Sequence, residues 1–327
     1  MKLLIELSME CEPLARAEAI AAARALGGST RIVGEDRGVL VMDTDADPES
    51  LASRLGLCHF VDEWLGSCAQ SELERFATGI DVEGPIRIRS TKVGVVGVDL
   101  ASVSRKIGKV VGERKGVDLH DPASDIRIVF SGKVHVGRVL ASVNRTSFER
   151  RKNRNMPFVY PASLHPKYAR AMVNLTEIGT GGRLLDPFCG TGAIVAESSL
   201  VGLKALGTDF SESMIGGTDL NLKHLGLKAI TRVCDVGEIA SVVGSVDGIA
   251  TDPPYGRATS TKGESIPALY RRAFSAFADV LGRGRKVVVA VPDLSLLDDI
   301  ESFRMVQKHP LWVHRSLTRN FCVLERV

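Results

Sequence analysis

The stretch Asp252-Pro253-Pro254-Tyr255-Gly256 combines residue types that point to chemistry. An apolar run, Val246 to Thr251, leads into it and reads as a buried strand. Each proline lacks the N–H that a ladder needs, so the strand must break there. The break leaves an acid, outward carbonyls and an aromatic ring at a strand end. A carboxylate beside a free carbonyl can accept both hydrogens of a planar exocyclic amine, and the ring of Tyr255 can stack on the base that carries it. A tight turn that merely contains two prolines is the plain alternative.

A second constellation precedes it. Asp186-Pro187-Phe188-Cys189-Gly190-Thr191-Gly192 follows one expected strand and opens a helix. Gly190 and Gly192 let the backbone come close to a ligand, and the helix start offers N–H donors. The spacing is not Gly-x-Gly-x-x-Gly, which disfavours a nicotinamide-dependent oxidoreductase. Asp209 lies about 20 residues on, where an acid binds ribose hydroxyls in nucleoside-binding α/β folds. Asp235 ends the next strand, where a side chain can reach an adenine amine. Both acids could instead be helix caps.

Elements that would position these groups follow from the pattern. From residue 166 on, apolar strand-like runs alternate with helical ones: strands at 183–186, 204–209, 229–234, 246–251 and 286–292, and helices between them, with a last one near 293–301. Such alternation implies a doubly wound parallel sheet. Two further apolar stretches, Arg304 to Leu317 and Arg319 to Val327, meet at a polar turn around Thr318 and would add a terminal antiparallel hairpin strand. The first 66 residues read as β-α-β-α-β, a ferredoxin-like unit. In residues 70–145, Arg87 and Arg89 share one face of a strand, and a helix over 102–116 carries further bases. Arg138, Arg145, Arg150, Arg151, Lys152 and Arg154 crowd around a single acid, Glu149. This segment reads either as a charged linker or as one that also touches nucleic-acid phosphates.

Composition limits the partners. The 327 residues are 44% hydrophobic and 25% charged, a normal soluble globular balance. Net charge is +3, so binding to nucleic acid must come from local patches. Cys11, Cys58, Cys68, Cys189, Cys234 and Cys322 form no Cys-x-x-Cys pair, so no metal site or disulfide framework is expected, and a reducing cytoplasm is. No apolar run approaches the roughly 20 residues that span a bilayer, so no membrane is expected.

Taken in order, the glycine loop, Thr208-Asp209, Cys234-Asp235 and Asp-Pro-Pro-Tyr resemble the S-adenosylmethionine-dependent amino-methyltransferases. The turn Asp118-Leu119-His120-Asp121-Pro122, with Ile126-Arg127-Ile128 and Gly132-Lys133 after it, resembles a THUMP RNA-binding module. The segment Phe158 to Asn174 resembles the helix that flanks the cofactor in archaeal and eukaryotic tRNA guanosine-10 N2-methyltransferases.

The resemblance implies an α/β fold: a ferredoxin-like domain (1–66), a THUMP domain (67–144), a basic linker (145–165) and a Rossmann-like methyltransferase domain (166–327). It implies S-adenosylmethionine held by Tyr160, Asp186, Phe188, Gly190, Thr191, Gly192, Asp209, Asp235 and Asp252. It implies Asp252, Pro253, Pro254 and Tyr255 at the target amine, with the loop from Gly256 to Ser265 as a lid. Arg87, Arg89, Arg145, Arg150, Arg151, Lys152 and Arg154 are the expected RNA contacts. The expected partner of this cytoplasmic monomer is tRNA rather than DNA, methylated at N2 of guanosine 10 once or twice. Open alternatives are guanosine 6 of tRNA, a ribosomal guanine, an amine in DNA, or an RNA-binding protein without catalysis.

Overall fold

The computed structural model describes residues 1–161, 163–255, 263–315 and 317–327. They divide into two units.

The first unit holds residues 1–12, 28–53 and 58–143. Its seven strands are β1 (Lys2–Leu7), β2 (Thr30–Asp36), β3 (Val39–Thr44), β4 (Cys58–Cys68), β5 (Ile86–Lys92), β6 (Ser124–Phe130) and β7 (Val134–Ser142). They form a single sheet in the order β2-β3-β1-β4-β7-β6-β5. Only β5 and β6 pair in parallel, because helix α4 (Leu100–Lys115) crosses over between them. Asp99 caps α4 by accepting from the Ser102 N–H at 3.0 Å, and Gly116, at φ 79°, ends it. Ile107 and Val111 of α4 pack with Ile86, Ile126, Ile128 and Phe130 of the sheet. The unit also contains most of α2 (Pro48–Arg54) and all of α3 (Leu73–Thr78). Strand β2 is absent from the sequence reading: it is half-exposed and carries Arg31, Glu35 and Asp36, so it shows no apolar run.

The second unit holds residues 13–27, 54–57 and 144–327, and so includes all but the first residue of α1 (Glu12–Ala25). The helix read as part of a ferredoxin-like unit therefore groups with the second unit. Glu18 on α1 is buried and accepts from the Gly56 and Leu57 N–H groups, both at 2.8 Å, and from Asn174 Nδ2 at 2.9 Å. These contacts explain the grouping.

Residues 145–165 are not a bare linker. They contain α5 (Arg145–Arg150), capped by Asn144, and Phe148 is 3% exposed. Helix α6 (Pro166–Leu175) follows, with Pro166 in its first turn and His165 Nδ1 accepting from the Lys167 N–H.

Then come β8 (Arg183–Asp186), α7 (Ala193–Leu200), β9 (Lys204–Asp209), α8 (Glu212–His224), β10 (Ile230–Val233), α9 (Ile239–Val243), β11 (Val246–Thr251), α10 (Ile266–Val280), β12 (Leu281–Val291), β13 (Phe303–His314) and β14 (Leu317–Arg326). The sheet order is β10-β9-β8-β11-β12-β14-β13. The first five pair in parallel, and β14 lies antiparallel between β12 and β13. The Rossmann-like sheet with its inserted antiparallel strand agrees with the sequence reading. Two details differ. The helix expected near 293–301 is a single 3-10 turn, Leu294–Leu297. Thr318 sits inside β14 opposite Trp312, so the turn lies before it.

Parallel strands are covered on both faces, which explains why Val287 to Val291 are all 0% exposed. The winding runs from β8 outward to β9 and β10, then returns to β11 on the other side of β8. Connections therefore diverge between β8 and β11, and a crevice opens beyond their carboxyl ends.

Candidate active site

A cavity of about 1150 Å3 lies in the second unit and contains this crevice. Asp186 ends β8, and Asp252 follows β11 by one residue. The strand order brings both to the same place although they are far apart in sequence. Tyr160, Asp186, Phe188, Gly190, Thr191, Asp209, Asp252, Pro253, Pro254 and Tyr255 all line the cavity. The lining also includes Phe210, Met214 and Arg319, which sequence reading did not single out.

The glycine loop is held from behind. Gly190, at φ 52°, donates its N–H to Asp209 Oδ2 at 3.1 Å, and its carbonyl accepts from Thr218 Oγ1 at 2.7 Å. Gly192 does not line the cavity. It starts α7 at φ 84°, and a Cβ there would lie 2.8 Å from Thr218 Cγ2, so only glycine fits. Asn221 Nδ2 donates to the Thr191 carbonyl at 3.0 Å. The Ser211 N–H donates to Asp209 Oδ1 at 3.0 Å, so both oxygens of this nearly buried carboxylate are fixed by backbone. Each keeps a lone pair for a ligand hydroxyl. Burial raises the Asp209 carboxyl above its usual range, and the two N–H bonds only partly offset it.

Asp186 is 2% exposed and accepts from Thr251 Oγ1 at 2.7 Å and from the Phe188 N–H at 3.2 Å. Burial pushes its carboxyl up to about 7, with Asp252 and Asp209 adding smaller upward pressure. Asp252 is raised as well, by burial, against the opposing pull of Arg319 and of the Tyr255 hydroxyl. Tyr255 donates a hydrogen bond to Asp252 Oδ1. Arg319 on β14 donates from Nε to the Tyr255 hydroxyl at 3.0 Å and sets Nη2 3.5 Å from Asp252 Oδ2. Burial raises the Tyr255 hydroxyl far above its usual pKa, and the Asp252 charge adds to this. Burial opposes the Arg319 charge, but Asp252 and Tyr255 outweigh it and its pKa is raised.

Several of the expected residues hold other partners. Asp235 does not line the cavity; its Oδ1 accepts from the Gly237 N–H at 2.9 Å and pairs with Arg272 Nη1. It caps a 3-10 turn and is neutralised, so nothing places it against an adenine. Arg151 is not available to a phosphate: its Nε lies 2.7 Å from Oε1 of Glu197, which is 1% exposed, and Arg170 holds the other oxygen at 2.7 Å. Arg87 and Arg89 both pair with Asp125, which neutralises part of their charge. Lys152 pairs with Glu149, while Arg145, Arg150 and Arg154 are exposed. The start of the expected lid, residues 256–262, lies outside the described residues. Among the described residues no cluster of three His, Cys, Asp or Glu could hold a metal, and no helix is long and apolar enough to cross a membrane.

The arrangement can hold a nucleoside and a flat amine in one cavity. Asp209 and the glycine loop occupy the β8–β9 side. Asp252, Pro253 and Tyr255 occupy the β11 side, and Arg319 lines the cavity next to Asp252.

Comparison with known proteins gives the family. Residues 151–320 match the model of the UPF0020 family, described as the RMKL-like methyltransferase domain. Over the whole chain and the whole relative, the sequence is 34% identical to tRNA (guanine(10)-N2)-dimethyltransferase of Methanothermobacter thermautotrophicus. It is 30% identical to the enzyme of the same name from Pyrococcus abyssi, over 95% of this chain and 96% of the relative. The crystal structure of TrmN from Thermus thermophilus shares the fold, with a TM-score of 0.56 at 21% identity over 100% of both chains.

Proposed function

We infer that this chain, which belongs to the family of the tRNA (guanine(10)-N2)-dimethyltransferases, is an S-adenosylmethionine-dependent enzyme that methylates the exocyclic N2 of a guanosine in tRNA. The finer reading is guanosine 10, methylated once and then again. One observation carries the chemistry: the Asp-Pro-Pro-Tyr turn and the Asp209–glycine loop face one cavity across the β8–β11 crevice.

The residues fit the cofactor. Asp209 offers oxygens, already oriented by Gly190 and Ser211, to ribose hydroxyls. Phe188, Phe210 and Met214 supply apolar walls to the same space. When bound, S-adenosylmethionine supplies a methyl group activated by a sulfonium.

The guanine N2 lone pair is delocalised into the ring, so the amine is a poor nucleophile. Asp252 and the Pro253 carbonyl accept its two N–H groups and turn the lone pair toward the methyl. The bond to the carboxylate is the stronger one. The Tyr255 hydroxyl donates to Asp252 Oδ1; release of that bond leaves the carboxylate to the amine and frees the ring to stack on the base. Holding the two reactants in line accounts for much of the acceleration. The nitrogen loses its proton once the methyl has arrived, and Asp252 is the carboxylate placed to take it. A second methyl transfer repeats the same geometry with one N–H remaining. A paired guanine must first leave the stack, at about a few kcal/mol. Exposed Arg145, Arg150 and Arg154, with Arg87, Arg89 and Lys152 already paired to carboxylates, supply phosphate contacts.

Asp252→Ala tests the assignment. Methylation of a tRNA transcript should fall by roughly 1000-fold or more, as when a general base or a charge-stabilising group is removed. Affinity for S-adenosylmethionine, read by calorimetry, should stay within about threefold, because Asp209 and the glycine loop keep their hold on the cofactor without Asp252. Cofactor affinity that collapses along with activity would place Asp252 in the wrong half of the site. Nucleoside mass spectrometry of fragments of the treated tRNA should find N2-methylguanosine and N2,N2-dimethylguanosine at position 10; modification elsewhere displaces the finer reading.

A further inference from the structure

We propose that Arg319 selects guanine by donating a hydrogen bond to its O6, and that this inference rests on the N2-methyltransferase reading above. Arg319 reaches the site from β14, lines the cavity and is 14% exposed. Its guanidinium lies 3.5 Å from Asp252 Oδ2, and its Nε donates to the Tyr255 hydroxyl at 3.0 Å. A permanently charged fork thus stands beside the acceptor of the target amine.

The Watson–Crick edge of guanine presents, in order, the N2 amine, the N1–H and the O6 carbonyl: donor, donor, acceptor. Set on this edge, Asp252 accepts from the amine through one oxygen and from N1–H through the other, the Pro253 carbonyl accepts the second amine hydrogen, and the Arg319 guanidinium donates to O6. No other standard base matches. Adenine and cytosine each offer an amine, but the ring nitrogen beside it is an acceptor and would face the Asp252 carboxylate. Uracil has no amine. Release of the Tyr255 hydroxyl from Asp252 also frees the Arg319 Nε that now bonds it. The guanidinium carries five donors, so it can keep Asp252 in place with one nitrogen and reach O6 with another. Refusal of the wrong base comes from unpaired buried groups, which discriminate more sharply than shape does.

The test is a cycle between enzyme and base. The target guanosine of a tRNA is replaced by 2-aminopurine riboside, which keeps the amine and loses both O6 and N1–H. For the native enzyme, kcat/KM should fall by roughly 100-fold or more on that change, the factor carried by the hydrogen bonds lost. Arg319→Met should lower kcat/KM on guanosine by roughly 10- to 100-fold, the range for one charge-assisted bond. It should also shrink the guanosine to 2-aminopurine ratio by a similar factor, because the variant no longer sees O6. Arg319→Leu, which also removes every donor, gives the same reading if the Met variant does not fold, and cofactor affinity by calorimetry reports the fold of each. A variant that slows both substrates equally and preserves the ratio reduces Arg319 to a scaffold residue and overturns the proposal. Native enzyme that leaves no methyl on guanosine N2 overturns the functional reading as well, so the two failures differ.

Discussion

Replacing Arg151 by alanine separates the two roles that its sequence position suggests. The structure assigns it to Glu197, a carboxylate 1% exposed that is gripped by Arg151 at 2.7 and 3.2 Å and by Arg170 at 2.7 Å. The Arg151 side chain is 13% exposed, and its guanidinium also lies 4.8 Å from the Phe148 ring centre. Removing one partner of a buried pair costs about 3–5 kcal/mol when the other is left alone. Here Arg170 stays and keeps Glu197 paired, so the loss should approach that of two charge-assisted hydrogen bonds with partial relaxation, about 2–4 kcal/mol. In a unit of about 200 residues this lowers Tm by roughly 5–12 °C. Calorimetric or circular-dichroism melting of Arg151→Ala against the native chain measures it, with Arg150→Ala as the surface control, expected to change stability by less than about 0.5 kcal/mol. Salt dependence of tRNA binding supplies the second axis. It should fall for a combined Arg150→Ala, Arg154→Ala variant and remain unchanged for Arg151→Ala, because only free cations release counterions from phosphates. A melting point unchanged to within a degree, together with a shallower salt slope for Arg151→Ala, would refute the reasoning.

Gly192→Ala places a Cβ 2.8 Å from Thr218 Cγ2 at φ 84°, so it should cost about 1–3 kcal/mol, visible as a lower denaturant midpoint and weaker cofactor binding; equal midpoints would mean that the loop can shift freely. Asp186 is raised to about 7 in the folded protein against about 3.9 in an unfolded chain, so folding favours its protonated form. Its contribution is therefore complete below about pH 4 and is lost as pH rises through about 7, by at most about 4 kcal/mol. Asp186→Asn, which keeps an oxygen for Thr251, should flatten the decline in Tm between pH 5 and 8; parallel curves for variant and native protein would show that this carboxyl stays ionised.

Those parts of the site that lie close together in the chain are visible in the sequence. The Asp-Pro-Pro-Tyr break, the Gly190 loop and Asp209 each end or follow a strand whose apolar run announces it, and parallel winding fixes where such ends gather. Groups whose meaning depends on a distant partner are not visible. Arg319 lies 64 residues from Tyr255 and meets it only because β14 inserts next to β12. Arg151 looks like one more base in a basic run, because Glu197 is 46 residues away on α7. Asp235 has the spacing of a cofactor acid, but Arg272, 37 residues on, captures it. Strand β2 shows why polarity alone misleads: an edge strand needs only one apolar face, and a half-exposed one hardly needs that.

The placement of β14 has an outcome for synthesis. Residues 317–326 are translated after every other strand of the second unit, yet they slot between two strands already made, and they deliver Arg319. A nascent chain that can already display its glycine loop and its proline turn still lacks the side chain facing them. Competence should therefore arrive abruptly, when this segment clears the ribosome, and a nonsense mutation ahead of it should leave a protein unable to finish its own pocket.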